Sequence, residues 1–345
     1  MRSVGPHGWG AFHPVGASLA ALCLSLALFR PSLAAQSEGP TPLLAGSTAT
    51  HRGGPVWFDY EMLAFGAPAR QTETILSISV DGARLSPSVS SRGWGYGAAA
   101  RLELMRDGRT AAEARTLTSL NCTGRLASAH GVPLYLSTRV EPGVYDYRLE
   151  VTDPYRERGN PTSRSEGRLV VPSFDGPGPV LTSLAVATDS VETPWDGAPG
   201  GLQLNPTHLV AEDMPPLIYF EVYGVRPGAP VWTDLTLEPQ RESGALDGLL
   251  RGKARPYTIR YLDRAPDDAG SPIRTTLRLE MAGLRPGRYS IRAVVREADG
   301  GPSSLPMTSS LELIDPHRSG YSATTCARAS EMPEETALRL DGHTP

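Results

Sequence analysis

The chain has 345 residues, with 36 Gly and 32 Pro, about one residue in five against roughly 12% in average usage, which excludes long uninterrupted helices. Hydrophobic residues make up 40% and charged residues 20%; that is enough apolar material for a packed core, and Gly plus Pro stays below the roughly 25–30% of wholesale disorder. Lys and Arg number 33 against 37 Asp and Glu, a net charge of −4 with the arginines scattered, so the chain has no nucleic-acid footprint.

Residues 1–35 read as a signal peptide. Arg2 stands in a short n-region, and Ala17 to Phe29 is a thirteen-residue run without charge or Pro, shorter than the about 20 residues of a membrane span. Arg30-Pro31 stops the run, and Ser32-Leu-Ala34 places small residues for cleavage before Ala35, with Leu33-Ala-Ala35 as the poorer alternative. An uncleaved anchor is the other reading of this segment. Cys23 follows Leu22, where a lipobox wants Gly, Ala or Ser. No later segment comes near 18 consecutive apolar residues, so the mature chain is expected to be exported, periplasmic or extracellular, without a transmembrane span. Without residues 1–34, which carry Arg2 and Arg30 and no acid, the net charge is −6. Lys253 is the only lysine, and this bias, with the high Ala, Gly and Pro, reads as a GC-rich bacterial genome.

From Pro55 on, apolar residues recur in short bursts, many with the period of two that marks half-buried strands. Val56 to Phe65 comes first, then Thr74 to Val80 before the turn Asp81-Gly82, and Ala100 to Met105 before Arg106-Asp-Gly108. Val132 to Val140 and Gly143 to Thr152 follow. In the latter Tyr145, Tyr147, Leu149 and Val151 share one face and Asp146, Arg148 and Glu150 the other. Arg168 to Val171 closes a first β-domain over residues 52–171. Residues 172–179 hold five Pro or Gly in eight positions, more than a strand or helix interior tolerates, and read as the linker.

A second β-domain, residues 180–315, runs through Val180–Ala187, Leu217–Tyr223, Trp232–Glu238, Tyr257–Leu262, Thr275–Glu280, Arg288–Val295 and Ser309–Ile314. Thr193 to Gly201 is expected as an exposed insertion loop, and residues 316–345 as a flexible, disordered tail. The halves share a phrase: Val140 to Val151 aligns without gaps on Leu284 to Val295, matching Pro142-Gly143 to Pro286-Gly287 and Tyr145 to Tyr289. A Tyr early in a late strand, just after a Pro-Gly turn, is the pattern of a tyrosine corner. A looser match sets Trp57 to Met62 against Ile218 to Tyr223.

On these residues the chain resembles tandem immunoglobulin-like or fibronectin-type III proteins. The implied fold is all-β, two tandem antiparallel β-sandwich domains. Over roughly residues 130–315, Gly176 to Ala187, Leu217 to Gly224 and Leu284 to Tyr289 also resemble the C-terminal β-rich part of bacterial secreted proteins with a Gly-Trp-x-Thr-Asp-Phe motif. That motif itself is absent, since Gly93-Trp94 is followed by Gly-Tyr-Gly, and no activity tied to it carries over.

The chain has three cysteines, so a disulfide-stapled scaffold is excluded. In the mature chain Cys122, placed in a loop at Asn121-Cys-Thr-Gly, and Cys326, in the tail, either close one bridge or stay as two free thiols. Of the histidines, His51, His130, His208, His317 and His343 show no metal-ligand spacing. No zincin, α/β-hydrolase or P-loop motif occurs, and neither a catalytic set, a metal nor a cofactor is expected. Gly93 to Gly97 reads as a flexible or hairpin loop, and Glu212-Asp213 and Asp267-Asp268 as solvated turns. Trp94 and Trp195, set among Gly and Pro, are the ligand-binding candidates: such rings stack on sugars or anchor proteins, or fold back over their own sandwich. The expected function is non-catalytic, binding an envelope or extracellular protein or organising the cell envelope. The alternatives are polysaccharide binding through Trp94 or Trp195 and an unrecognised hydrolase.

Overall fold

The computed structural model describes residues 43–90, 93–127, 131–156, 161–189, 202–211, 214–240, 256–281, 283–314 and 326–328. Among them every regular element longer than one turn is a β-strand, and the strands form four sheets. The expected signal peptide, the loop with Trp195, His130 and Glu212-Asp213 lie outside the described residues.

The first half contains β1 (Leu43–Leu44), β2 (Ser47–His51), β3 (Phe58–Gly66), β4 (Thr72–Asp81), β5 (Ser88–Ser90), β6 (Gly93–Arg106), β7 (Arg109–Cys122), β8 (Gly131–Val140), β9 (Gly143–Thr152) and β10 (Thr162–Val171). The second contains β11 (Val180–Leu181), β12 (Ala185–Asp189), β13 (Leu202–Leu204), β14 (Leu209–Ala211), β15 (Leu217–Tyr223), β16 (Pro230–Pro239), β17 (Tyr257–Arg264), β18 (Ile273–Arg278), β19 (Gly287–Glu297) and β20 (Met307–Ile314), before a final β21 (Cys326–Arg328). An outer sheet β1-β10-β9-β6-β7-β21, with β5 on β6, faces an inner sheet β2-β3-β4-β8. In the second half β11-β15-β12-β13, with β18 on β15, is the inner sheet and β14-β20-β19-β16-β17 the outer one.

Each outer sheet shows the alternation its sequence demands. On β9, Tyr145, Tyr147, Leu149 and Val151 are buried in the first core, while Arg148 pairs with Glu166 at 2.9 Å on the solvent face. The central inner strands β3, β4 and β15 do not alternate along most of their length, because both of their faces are buried. On β3, Phe58, Tyr60 and Met62 enter the first core, whereas Leu63 and Phe65 point the other way into a separate cluster with Ala185, Ala187, Leu202, Leu204, Leu217 and Tyr219 of the second half. On β15, Ile218, Phe220 and Val222 fill the second core. The inner sheets thus pack face to face, inside one compact unit, Pro40–Pro345.

Both Pro-Gly phrases open a strand in the same way. The Tyr145 hydroxyl donates to the Glu141 carbonyl at 2.7 Å, and the Tyr289 hydroxyl to the Arg285 carbonyl at 2.9 Å. Gly143 and Gly287 have φ of 156° and 145°, values a side chain resists. Tyr145→Phe removes one such bond, and Tyr289→Phe also removes the bond that its oxygen accepts from the Arg285 N–H at 3.1 Å; each is expected to cost about 1–2 kcal/mol in urea unfolding.

Three local expectations are corrected. Gly93 to Gly97 is no loop but the start of β6, and its glycines answer crowding: a Cβ on Gly97 would lie 2.9 Å from Pro154 and Tyr155. Cys122 is not in a loop either; it ends β7, is 2% exposed and is disulfide-bonded, so it is not a free thiol. The tail is not wholly unstructured, since Cys326–Arg328 form β21 on β7, with the Cys326 backbone directly opposite Cys122. An edge strand such as β7 offers unpaired backbone groups, and β21 takes them.

Candidate functional site

The junction between the inner sheets and its margin hold three of the buried ionisable side chains among the described residues, Glu61, His208 and Glu221. Its apolar centre is Leu63, Phe65 and Ile75 against Leu217 and Tyr219, and Ala185 and Ala187 allow close approach. The Phe65 and Tyr219 rings lie 5.7 Å apart between centroids. Beyond the end of β2 the edge of β3 is free, and Ser183 of the second half occupies it. The Ala64 N–H donates to Ser183 Oγ at 3.0 Å, and the Ser183 N–H donates to the Ala64 carbonyl at 3.2 Å.

The alternation that sends Leu63 and Phe65 into the junction also sends Glu61 there, and Tyr219 carries Glu221 with it. Both carboxylates are buried, at 0% and 3% exposure. Glu221 accepts from the Tyr219 hydroxyl at 2.6 Å, the Tyr223 hydroxyl at 2.5 Å and Arg274 Nε at 3.2 Å. Burial, then the bond to Glu221, pushes both phenols above the ordinary tyrosine range. Tyr223 lies over Gly66, where any Cβ would meet its ring at 2.4 Å. Only Gly fits there.

Glu61 faces His208, in the turn between β13 and β14. His208 Nε2 is 3.1 Å from Glu61 Oε2, and Nδ1 is 3.2 Å from Ser310 Oγ on β20. The first contact is close without good hydrogen-bond alignment, and both Glu61 oxygens are buried without an aligned partner. Burial works against a charged His208, but the charge and close approach of the Glu61 carboxylate, with Ser310, outweigh it and raise its pKa above the ordinary value.

The order Ser310, His208, Glu61 has the connectivity of a nucleophile, a base and an orienting acid. Its geometry is that of a clamp: Ser310 lies on the open face of strand β20, and the imidazole is 3% exposed. The acidic pair Asp267-Asp268 sits in an exposed turn, where Asp268 accepts from Ser271, and does not meet His208. Among the described residues no group of three or more His, Cys, Asp or Glu is placed to hold a metal ion, and no helix is long and apolar enough to cross a membrane.

Of the aromatic candidates, Trp94 is on β6 and not in a loop. Its ring is half-buried against the first core with the Arg125 guanidinium 5.2 Å from its centroid. Trp195 lies outside the described residues. Sequence reasoning missed Glu61 and Glu221, although each stands within an apolar run. No protein-family model and no curated protein matches the chain.

Proposed function

We propose that this is an exported bacterial protein of two tandem fibronectin-like β-sandwich domains, residues 52–171 and 180–315, that binds another envelope protein without catalysing a reaction. The duplication reading is supported by pairing order. In the first half β3-β4-β8 faces β7-β6-β9-β10, and in the second β12-β15-β18 faces β17-β16-β19-β20. A short strand lies parallel to the last strand of each set, β1 on β10 and β14 on β20. By this order the counterpart of β15 is β4, which speaks against aligning Trp57 to Met62 with Ile218 to Tyr223 within the repeat.

One observation carries the binding reading. Most of the first outer face pairs its charges in rows: Arg101 with Glu113 at 2.9 Å, Arg164 with Glu150 at 2.5 Å, Arg148 with Glu166 at 2.9 Å. At one end the rows give way to Leu44, Val170 and Val144, register neighbours across three strands, with Leu44 59% and Val144 49% exposed. A bare apolar row beside a polar surface is the make-up of a protein contact. The test is affinity capture from the native envelope with the parent and with Leu44→Asp/Val144→Asp. A partner retained by the parent and lost by the folded double variant is the expected result. Identical capture by both would remove the row from the binding surface.

The sugar-binding reading loses ground at Trp94, whose ring packs on the core and under Arg125. A glycan array is expected to return the same profile for Trp94→Ala as for the parent.

A further inference from the structure

The apolar centre of the junction holds the inner sheets together at any pH, but the pair at its margin does not. A carboxylate buried as fully as Glu61 is costly unless a cation or aligned donors meet it. Its neighbours across the ladders are uncharged, Thr48 on β2 and Ser77 on β4, and the Ser77 hydroxyl is itself buried without a partner. The group that meets Glu61 is His208, from the other half of the chain.

His208 is fastened in place. It has φ of 56°, in the left-handed region that non-glycine residues avoid, and such strain persists only where the surroundings enforce it. Its N–H donates to the Asn205 carbonyl at 3.1 Å, its carbonyl accepts from the Glu312 N–H at 2.9 Å, and Nδ1 meets Ser310. The Glu312 carboxylate, the charged group on β20 closest in sequence to Ser310, is taken by Arg288 at 3.0 Å. The imidazole is thus carried on a strained, anchored backbone position and presented to one acid.

We propose that His208 and Glu61 form a proton-dependent latch, which closes the junction of the inner sheets when the imidazole is charged and loosens it when the imidazole is neutral. With its proton lost, Glu61 is left as a buried anion with no cation, and the junction relieves it by admitting water. The sign follows from the direction of the shift. A folded-state pKa above the unfolded value means that the contribution is complete below about pH 6.5 and is lost as pH rises through the folded value.

The test uses the full chain. The His208 ring is titrated by NMR between about pH 5 and 9, and amide exchange protection is followed at Leu63 and Phe65, with Val151 of the first core as reference. The expected result is a His208 titration above the ordinary histidine range. Protection at Leu63 and Phe65 falls about tenfold across it, while Val151 is unchanged. In Glu61→Gln the His208 titration moves down, and in both Glu61→Gln and His208→Gln the pH dependence of protection disappears. A parent chain whose junction protection stays flat through the titration, or whose His208 titrates below the ordinary range, overturns the latch. That parent measurement decides the matter even if a variant does not fold.

Discussion

Phe65→Ala is expected to cost about 3–5 kcal/mol and to destabilise both halves of the chain together. Phe65 is 2% exposed and lies between the inner sheets, so its loss leaves a cavity shared by the two halves. The walls cannot easily refill it. Ala185 and Ala187 have no rotamers to swing inward, and Tyr219 is held by the bond from its hydroxyl to Glu221. Partial collapse is what lowers the cost of large-to-small changes, so this site belongs toward the upper end of the range. Urea unfolding followed by calorimetry and by hydrogen exchange in each half checks it. One transition with a lower midpoint and an unchanged slope is the expected outcome. Two transitions, with only one of them shifted, would mean that the halves unfold independently and that the junction adds little. A cost below about 1 kcal/mol would contradict the burial itself.

That shared core marks where the sequence stops being legible. The outer strands announce themselves through period-two alternation, as Gly143 to Thr152 does, because one face meets water. Strand β3 gives that signal only at its start. Phe58-Asp-Tyr-Glu-Met62 alternates, but Leu63-Ala-Phe65 is apolar on both faces, and the period alone cannot say whether Leu63 faces its own sheet pair or the next one. The same ambiguity hid Glu61, which reads as the polar side of an alternating strand until a second sheet is laid over it. Strand β7 escaped for a different reason. Arg109–Cys122 is rich in Ala and Thr, and its interior face includes small residues such as Ala112 and Ala114 that carry little hydrophobic signal. The glycines of Gly93 to Gly97 misled in the opposite direction. Gly is ordinarily read as flexibility, but here its small size lets Pro154 and Tyr155 pack against a strand. The Pro-Gly turns were legible because the chemistry is local: a fixed φ, a permissive residue and a Tyr whose hydroxyl reaches back four residues. The pairing of Glu61 with His208 joins positions 147 apart, and no spacing rule connects them.

The second large effect is expected at Glu221. Glu221→Leu removes the acceptor of two phenol hydroxyls, of which that of Tyr219 belongs to a residue with 0% exposure. A buried donor deprived of its acceptor costs about 1–3 kcal/mol; the Tyr223 hydroxyl falls back on the Gly66 carbonyl at 3.3 Å, so the expected cost is about 2–4 kcal/mol, most of it at Tyr219. Arg274 adds little, because its side chain is 58% exposed and turns to water when its partner goes. The penalty is therefore one of stranded donors, and it has a distinctive signature. Tyr219→Phe/Tyr223→Phe introduced on top of Glu221→Leu is expected to recover most of the lost stability, since it replaces stranded groups with apolar ones of nearly the same shape. Strict additivity, with the triple variant less stable than the single one, would show that the hydroxyls contribute through some other partner. Spectrophotometric titration gives an independent reading. Burial and the bond to Glu221 hold both phenols protonated beyond the ordinary tyrosine range, so the unfolded chain releases those protons first. Stability from this cluster is thus complete below about pH 10 and declines as pH rises above it. In the parent, Tyr219 and Tyr223 are expected to ionise late, with Tyr147 and Tyr261, whose phenols burial also pushes up. The triple variant, which lacks Tyr219 and Tyr223, is expected to lose their two equivalents from that late step and keep the rest.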